Sequence, residues 1–266
     1  MRIGFLITAR LKSKRLPLKL LKDLNGFSII DRVIQRAKLV KECDDIILCT
    51  SENNQDLPLI RTAQDNKIFY FNGDGDEVLS RLLKAANLFN LDFAVCMTAD
   101  NPLFSINYAN RISDIVRQSK NLDYIYTDDL PIGLNVYGVS INALDTICSF
   151  KEELDTEIWG PLINRPDIFS VMKLDVDSSD IPHIKRLTVD ERLDYEMIKI
   201  IFESFPKNHL ITEPDIINLL NDRPEIKLIN KTIKQRSLDS KTIERIDKFF
   251  KKNKLNILER KNKNLV

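Results

Sequence analysis

Over residues 1 to 205, short apolar runs alternate with stretches of helical periodicity, and that alternation confines a chain to βαβ units around a mostly parallel sheet. Ile3 to Thr8 reads as the first strand, and Ser28 to Val40 as a helix with Ile29, Ile30, Val33, Ile34 and Ala37 on its apolar face. Strands are predicted over 45–50, 67–71, 93–98, 123–127 and 168–176, and helices over 56–66, 77–89, 107–119 and 192–205. Residues 135–140 alternate as an antiparallel edge strand does. After Pro206 the composition shifts, with a helix capped by Thr212 and running to Leu220, and another from Ser240 to Phe250 with Ile243, Ile246, Phe249 and Phe250 on one face. Residues 251–266 form a polar, mostly cationic tail expected to fray as a solubilising end. The expected organisation is an α/β domain over 1–205 and a helical extension with a cationic tail over 206–266.

In an open α/β sheet, ligands bind beyond the carboxyl ends of the strands. The first strand delivers Arg10, Lys12, Lys14, Arg15 and Lys19 to that end. Cations so crowded repel one another unless something anionic sits among them, and a polyphosphate is suited to the place. Asp100 stands just past the strand over 93–98, at the same end of the sheet. The overall charge balances 40 Lys and Arg against 39 Asp and Glu, so no global field calls for nucleic acid. Four cysteines without a CxxC pair and only two histidines argue against structural zinc, and no apolar run approaches the about 20 residues of a membrane span. The reading is a reduced, cytoplasmic protein.

Thr8-Ala-Arg-Leu-Lys-Ser-Lys-Arg-Leu-Pro-Leu-Lys19 resembles the signature A-R-x-x-S-x-R-L-P-x-K of cytidylyltransferases that activate surface sugars. Met97-Thr-Ala-Asp-Asn-Pro-Leu103 is similar to their T-G-D-x-P-L, and Arg186-Leu-Thr-Val-Asp190 to their R-x-T-V-D. With Gly73 to Arg81 and Pro131 to Val136, the resemblance spans residues 2 to 205 and is nearest to the spore-coat-polysaccharide type. It is more distant from the enzymes that make CMP-activated octulosonic and nonulosonic acids.

The resemblance implies a three-layer α/β sandwich of the nucleotide-diphospho-sugar transferase kind, Rossmann-like, with a small helical C-terminal extension. It implies transfer of CMP from CTP to an acidic or phosphorylated sugar, with release of pyrophosphate, for surface glycan synthesis. Arg10, Arg15 and Lys19 match phosphate-binding positions, Ser13 offers a hydroxyl, and the backbone around Ala9 offers N–H donors. Asp100 and Asp190 are the implied ligands of Mg²⁺, and Arg10, Lys19 and Asp100 the implied catalytic groups. Asp76 is placed on the nucleotide, with Arg81 either beside it or in a capped turn; Gly133, Asn135 and Glu157 are placed on the sugar; Trp159 stacks on a sugar or fills the core. The chain departs from the family at Lys12 and Leu18, where relatives commonly carry glycine, and at Asn135, where they usually carry aspartate. Leu18 restricts a loop in which glycine permits positive φ. Two alternatives stay open: another nucleotide such as GTP on a sugar 1-phosphate, or a silent relative binding within a glycan-assembly complex. The partners are a nucleoside triphosphate and a sugar, with no nucleic acid or membrane span and a homodimer left open.

Overall fold

A computed structural model describes residues 1–119, 121–150, 159–235 and 237–263. Seven strands, β1 (Ile3–Thr8), β2 (Asp45–Ser51), β3 (Phe69–Gly73), β4 (Phe93–Thr98), β5 (Tyr124–Tyr126), β6 (Tyr137–Ser140) and β7 (Val171–Lys173), form one sheet in the order β3-β2-β1-β4-β6-β5-β7. Around it lie α1 (Ile29–Ala37), α2 (Leu57–Asp65), α3 (Val78–Leu88), α4 (Ile106–Gln118), α5 (Ile141–Cys148), α6 (Gly160–Ile163), α7 (Arg192–Glu203), α8 (Glu213–Asp222) and α9 (Ser240–Lys263).

Two apolar cores sandwich the sheet, because the side chains of each strand alternate between its faces. Ile3, Phe5 and Ile7 of β1 join one core with α1, α2, α4 and α7, while Leu6 joins the other with α3, α5 and α9. This is the three-layer arrangement expected from the sequence. α1 starts where the sequence places it, since Ser28 caps it and exchanges hydrogen bonds with Asp31.

β1 pairs in parallel with both β2 and β4, and Thr8 stands opposite Thr98. The chain runs outward from β1 to β3 and then returns to β4 on the other side of β1. The strand order therefore reverses at β1 and β4, and a crevice opens beyond their carboxyl ends.

Two expectations are corrected. β6 is antiparallel but interior, paired with both β4 and β5; the sequence showed its alternation but not its nonlocal partners. The cationic tail does not fray within the described residues, since α9 continues to Lys263. Ile246, Phe249, Phe250 and Ile257 lie buried along one side of α9 against the second core, whereas Ile243 is exposed. Lys254, Arg260 and Lys261 pair with Asp167, Asp145 and Asp123. A run that reads as cationic and polar is thus an amphipathic helix, three of whose cations are matched by carboxylates of the domain beneath it. α5 and the short α6 were not anticipated; Ser140 ends β6 and at once caps α5 through the Ala143 amide.

Candidate active site

A cavity of about 760 Å³ opens at the carboxyl ends of β1 and β4, lined by Ala9, Arg10, Ser13, Arg15, Lys19, Asp76, Asp100 and Asp190, with Lys12, Lys14, Arg81 and Trp159 also on its wall. Residues separated by as much as the length of the domain meet there for identifiable backbone reasons. The register of β1 on β4 brings the cationic loop beside Asp100. Asp190 arrives through the Val189 amide, which donates to the Asp100 carbonyl at 2.8 Å.

The ammonium of Lys19 sits between the two carboxylates, 2.6 Å from Asp100 Oδ2 and 3.0 Å from Asp190 Oδ1. Burial alone lowers the affinity of this amine for its proton, but the charges and hydrogen bonds of Asp100 and Asp190 outweigh burial and leave its pKa above the ordinary lysine value. Burial likewise raises the Asp190 pKa, and the nearby Lys19, Arg15 and Arg186 more than reverse that, so the carboxyl stands below its ordinary value. Arg15 donates to Asp190 at 3.1 Å and to Glu191 at 3.5 Å. Arg10 donates to the Gly75 carbonyl and to Asp76 at 3.3 Å, and Lys12 lies 3.9 Å from Asp76. The first anionic partners of the cationic loop are therefore the chain's own carboxylates.

Other expected positions have definite neighbours. The Ala9 amide donates to the Cys49 carbonyl and the Leu11 amide to Asp56, so those two donors belong to the scaffold rather than to a ligand. The Ser13 hydroxyl accepts from the Leu16 amide at 3.4 Å and keeps its own proton to donate. The turn before α3 is capped by Asp74, which accepts from the Asp76 and Glu77 amides, leaving the Asp76 carboxylate to the arginine and lysine of the loop. Arg81 is buried, donates to the Asp74 and Gly75 carbonyls, and has an Nε without a hydrogen-bond partner among the described residues. Trp159 packs edge-on against Tyr137 at 5.3 Å, as a core residue does, and also forms part of the cavity wall.

Gly133 and Asn135 stand outside that wall. Asn135 donates to the Leu130 carbonyl at 2.7 Å and closes its own loop. Gly133 has φ +102°, and a Cβ there would lie 2.5 Å from the backbone carbonyl carbon of Leu187. The loop pairs with the strand-like segment before Asp190, the Leu187 amide donating to the Ile132 carbonyl at 2.6 Å. Both residues thus shape the support of Asp190. Glu157 lies outside the described residues.

Sequence reasoning passed over Glu191, Asp194 and the role of Arg186. Arg186 reaches Asp190 at 3.3 Å and Asp194 at 2.9 Å, and the four-residue spacing of 186, 190 and 194 was the available signal.

Two carboxylates flanking a cation form an oxygen donor set that suits a hard divalent ion, which commonly takes one or two protein carboxylates and draws its other ligands from phosphate and water. The Lys19 ammonium marks where positive charge is stabilised, so the residues present fit such an ion.

Residues 5–211 match the cytidylyltransferase family. An uncharacterized protein of Methanocaldococcus jannaschii is 29% identical over 239 residues, covering 89% of this chain and 98% of that protein. The spore coat polysaccharide biosynthesis protein SpsF of Bacillus subtilis is 27% identical over 233 residues, covering 84% and 95%. Among solved structures, a cytidylyltransferase from Leptospira borgpetersenii superposes with a TM-score of 0.77 at 24% identity, covering 88% of this chain and all of that one.

Proposed function

The chain belongs to the cytidylyltransferase family, and from that premise we propose that this nucleotidyltransferase moves CMP from CTP onto an acidic or phosphorylated sugar destined for a surface polysaccharide. The observation that carries the reading is the Lys19 ammonium held between Asp100 and Asp190 inside a cavity that Arg10 and Arg15 also enter. The name of the Bacillus subtilis relative supports the polysaccharide destination, and the family's description supports cytidylyl transfer.

An incoming triphosphate competes with Asp76, Asp190 and Glu191 for Arg10 and Arg15, whose planar forks can each hold two phosphate oxygens. Lys19, a compact charge on a flexible stem, follows the phosphate oxygens as it leaves the carboxylates. The freed carboxylates of Asp100 and Asp190 would hold Mg²⁺, which when bound neutralises charge developing on the α-phosphate. An oxygen of the acceptor sugar attacks the α-phosphorus, forming the new O–P bond while the bond to the β-phosphate breaks. The acceptor's hydroxyl proton, where it has one, is released to solvent, and pyrophosphate departs past Arg10, Arg15 and Lys19. Asp76 faces the nucleotide in this scheme and Glu157 belongs to the acceptor side, while Gly133 and Asn135 act indirectly, by shaping the loop that supports Asp190.

The silent-relative alternative rested on the altered loop at Lys12 and Leu18; Leu18 is 54% exposed and outside the cavity wall, whereas Lys12 lies on it and adds a cation facing the cavity. Among the described residues, no helix is long and apolar enough to cross a membrane. Cys43, Cys49 and Cys96 are free thiols, in keeping with a reduced cytoplasmic setting. The test is to incubate the protein with each of the four nucleoside triphosphates, Mg²⁺, and a panel of sugar acids and sugar 1-phosphates, and to measure pyrophosphate. CTP with a sugar acid or sugar phosphate is expected to give the fastest release. Release that prefers GTP or UTP would reassign the base, and none with any pair would remove the activity.

A further inference from the structure

Asp194 is fully buried and holds four donors at once. Its Oδ2 accepts from the Asp190 amide at 3.1 Å, the Glu191 amide at 3.0 Å and Arg186 Nη2 at 2.9 Å. Its Oδ1 accepts from Asn230 Nδ2 at 2.9 Å. Arg186 Nη2 also reaches Asp190 Oδ2 at 3.3 Å, and Arg186 Nη1 donates to Gln235 Oε1 at 3.1 Å. One oxygen of Asp190 is thus turned toward Arg186, leaving Oδ1 to Lys19 and Arg15 on the cavity side.

Asn230 and Gln235 come from the segment after residue 211, where the match to the family ends. That segment is anchored by a short helical turn, Pro224–Leu228, whose Ile226 is buried in the first core. Asn230 is buried as well, and without it the Asp194 Oδ1 would lose the partner that offsets its desolvation. If these two residues served only to dock the segment, any backbone group nearby would suffice. Asn230 does reach the Arg186 carbonyl at 3.4 Å, but its shorter bond, to Asp194, and the bond of Gln235 to Arg186 each end on a side chain that touches Asp190.

We propose that Asn230 and Gln235 are positioning residues for Asp190, fixing through Asp194 and Arg186 the direction in which its carboxylate meets a divalent cation. The inference rests on Asp190 holding the ion of the proposed reaction. Outer partners that orient a carboxylate ligand commonly change metal affinity or activity by about 10–100-fold.

The test uses the full chain carrying Asn230→Ala, Gln235→Ala, Asp190→Ala or Asn25→Ala. Asn25 clasps the Phe202 and Phe205 carbonyls away from the cavity and serves as the structural control. Mn²⁺ binding in the presence of CTP is read by electron paramagnetic resonance, CTP binding without metal by calorimetry, and folding by thermal unfolding. Asn230→Ala and Gln235→Ala are expected to weaken Mn²⁺ binding by about 10-fold with metal-free CTP binding unchanged, while Asn25→Ala shifts only the unfolding midpoint. Should Asn230→Ala fail to fold, Gln235→Ala decides, since Gln235 is exposed and its loss leaves no buried gap. Unchanged Mn²⁺ affinity in a folded Gln235→Ala protein, with Asp190→Ala impaired, would overturn this inference alone. Unchanged affinity in Asp190→Ala would overturn it together with the function it rests on.

Discussion

At Leu18 the backbone has φ 52° and ψ 28°, a left-handed conformation that costs a residue with a Cβ about 1–2 kcal/mol. Its exposed side chain packs too little to offset that cost. Leu18→Gly is therefore expected to stabilise the protein by about 0.5–1 kcal/mol, after the greater chain entropy of glycine is deducted, as read from urea unfolding. CTP affinity in the same variant should stay within about threefold, and a loss of stability would show that Leu18 makes contacts the loop needs. One residue along, the ion pairs of Lys19 set a pH dependence whose sign follows from the shifts. The Asp190 pKa lies below its ordinary 3.8, so the stability it contributes is present above 3.8 and is lost as pH falls through the lower folded value. The Lys19 pKa lies above its ordinary 10.5, so its contribution is complete below 10.5 and is lost as pH rises through the higher folded value. The advantage of the native protein over Asp190→Asn in urea unfolding should hold steady between those limits and shrink in acid below 3.8. An advantage that grew on acidification would contradict the assignment of charges.

The loop around Gly133 pairs with the segment that leads to Asp190 and so supports the Val189 bond that joins it to Asp100. Gly133→Ala combines a positive φ with a Cβ 2.5 Å from backbone, and neither can relax without moving Leu187 and Thr188. Such strain costs about 1–3 kcal/mol before the clash is added, so a loss of at least about 2 kcal/mol in unfolding free energy is expected, with turnover falling as Asp190 shifts. A variant of native stability would place the loop's tolerance elsewhere. Much of this arrangement was legible in the sequence, because β1 and β4 are buried on both faces and read as unbroken apolar runs ending at Thr8 and Thr98. The cationic loop and Asp100 follow those ends directly. What the sequence hid depends on partners distant in the chain. Asn135 was placed on the acceptor, yet its amide group meets the Leu130 backbone, and β6 lies inside the sheet because β4 and β5 both pair with it. Asn230 carried no local signal, since its partner Asp194 is 36 residues away.

Across the whole molecule, α9 closes the second core, and its burial depends on a handful of apolar residues within a cationic sequence. Phe250 is buried, with the Arg165 guanidinium 4.8 Å over its ring. Phe250→Ala should cost about 3–5 kcal/mol in denaturant unfolding, while a protein kept below its new midpoint should still release pyrophosphate, because α9 does not reach the cavity wall. A loss of less than about 1 kcal/mol would mean that α9 is a detachable tail. The two cores, the sheet and the C-terminal segment converge on one function, the holding of Asp100 and Asp190 at the mouth of β1 and β4. Pyrophosphate release from CTP by Asp100→Ala and Asp190→Ala, measured against the native protein at saturating Mg²⁺ and acceptor, tests that claim most directly. Each variant should keep its native circular dichroism, since Lys19 retains one carboxylate partner, and should lose about 10²-fold or more in rate. Turnover near the native rate in either folded variant would contradict the account.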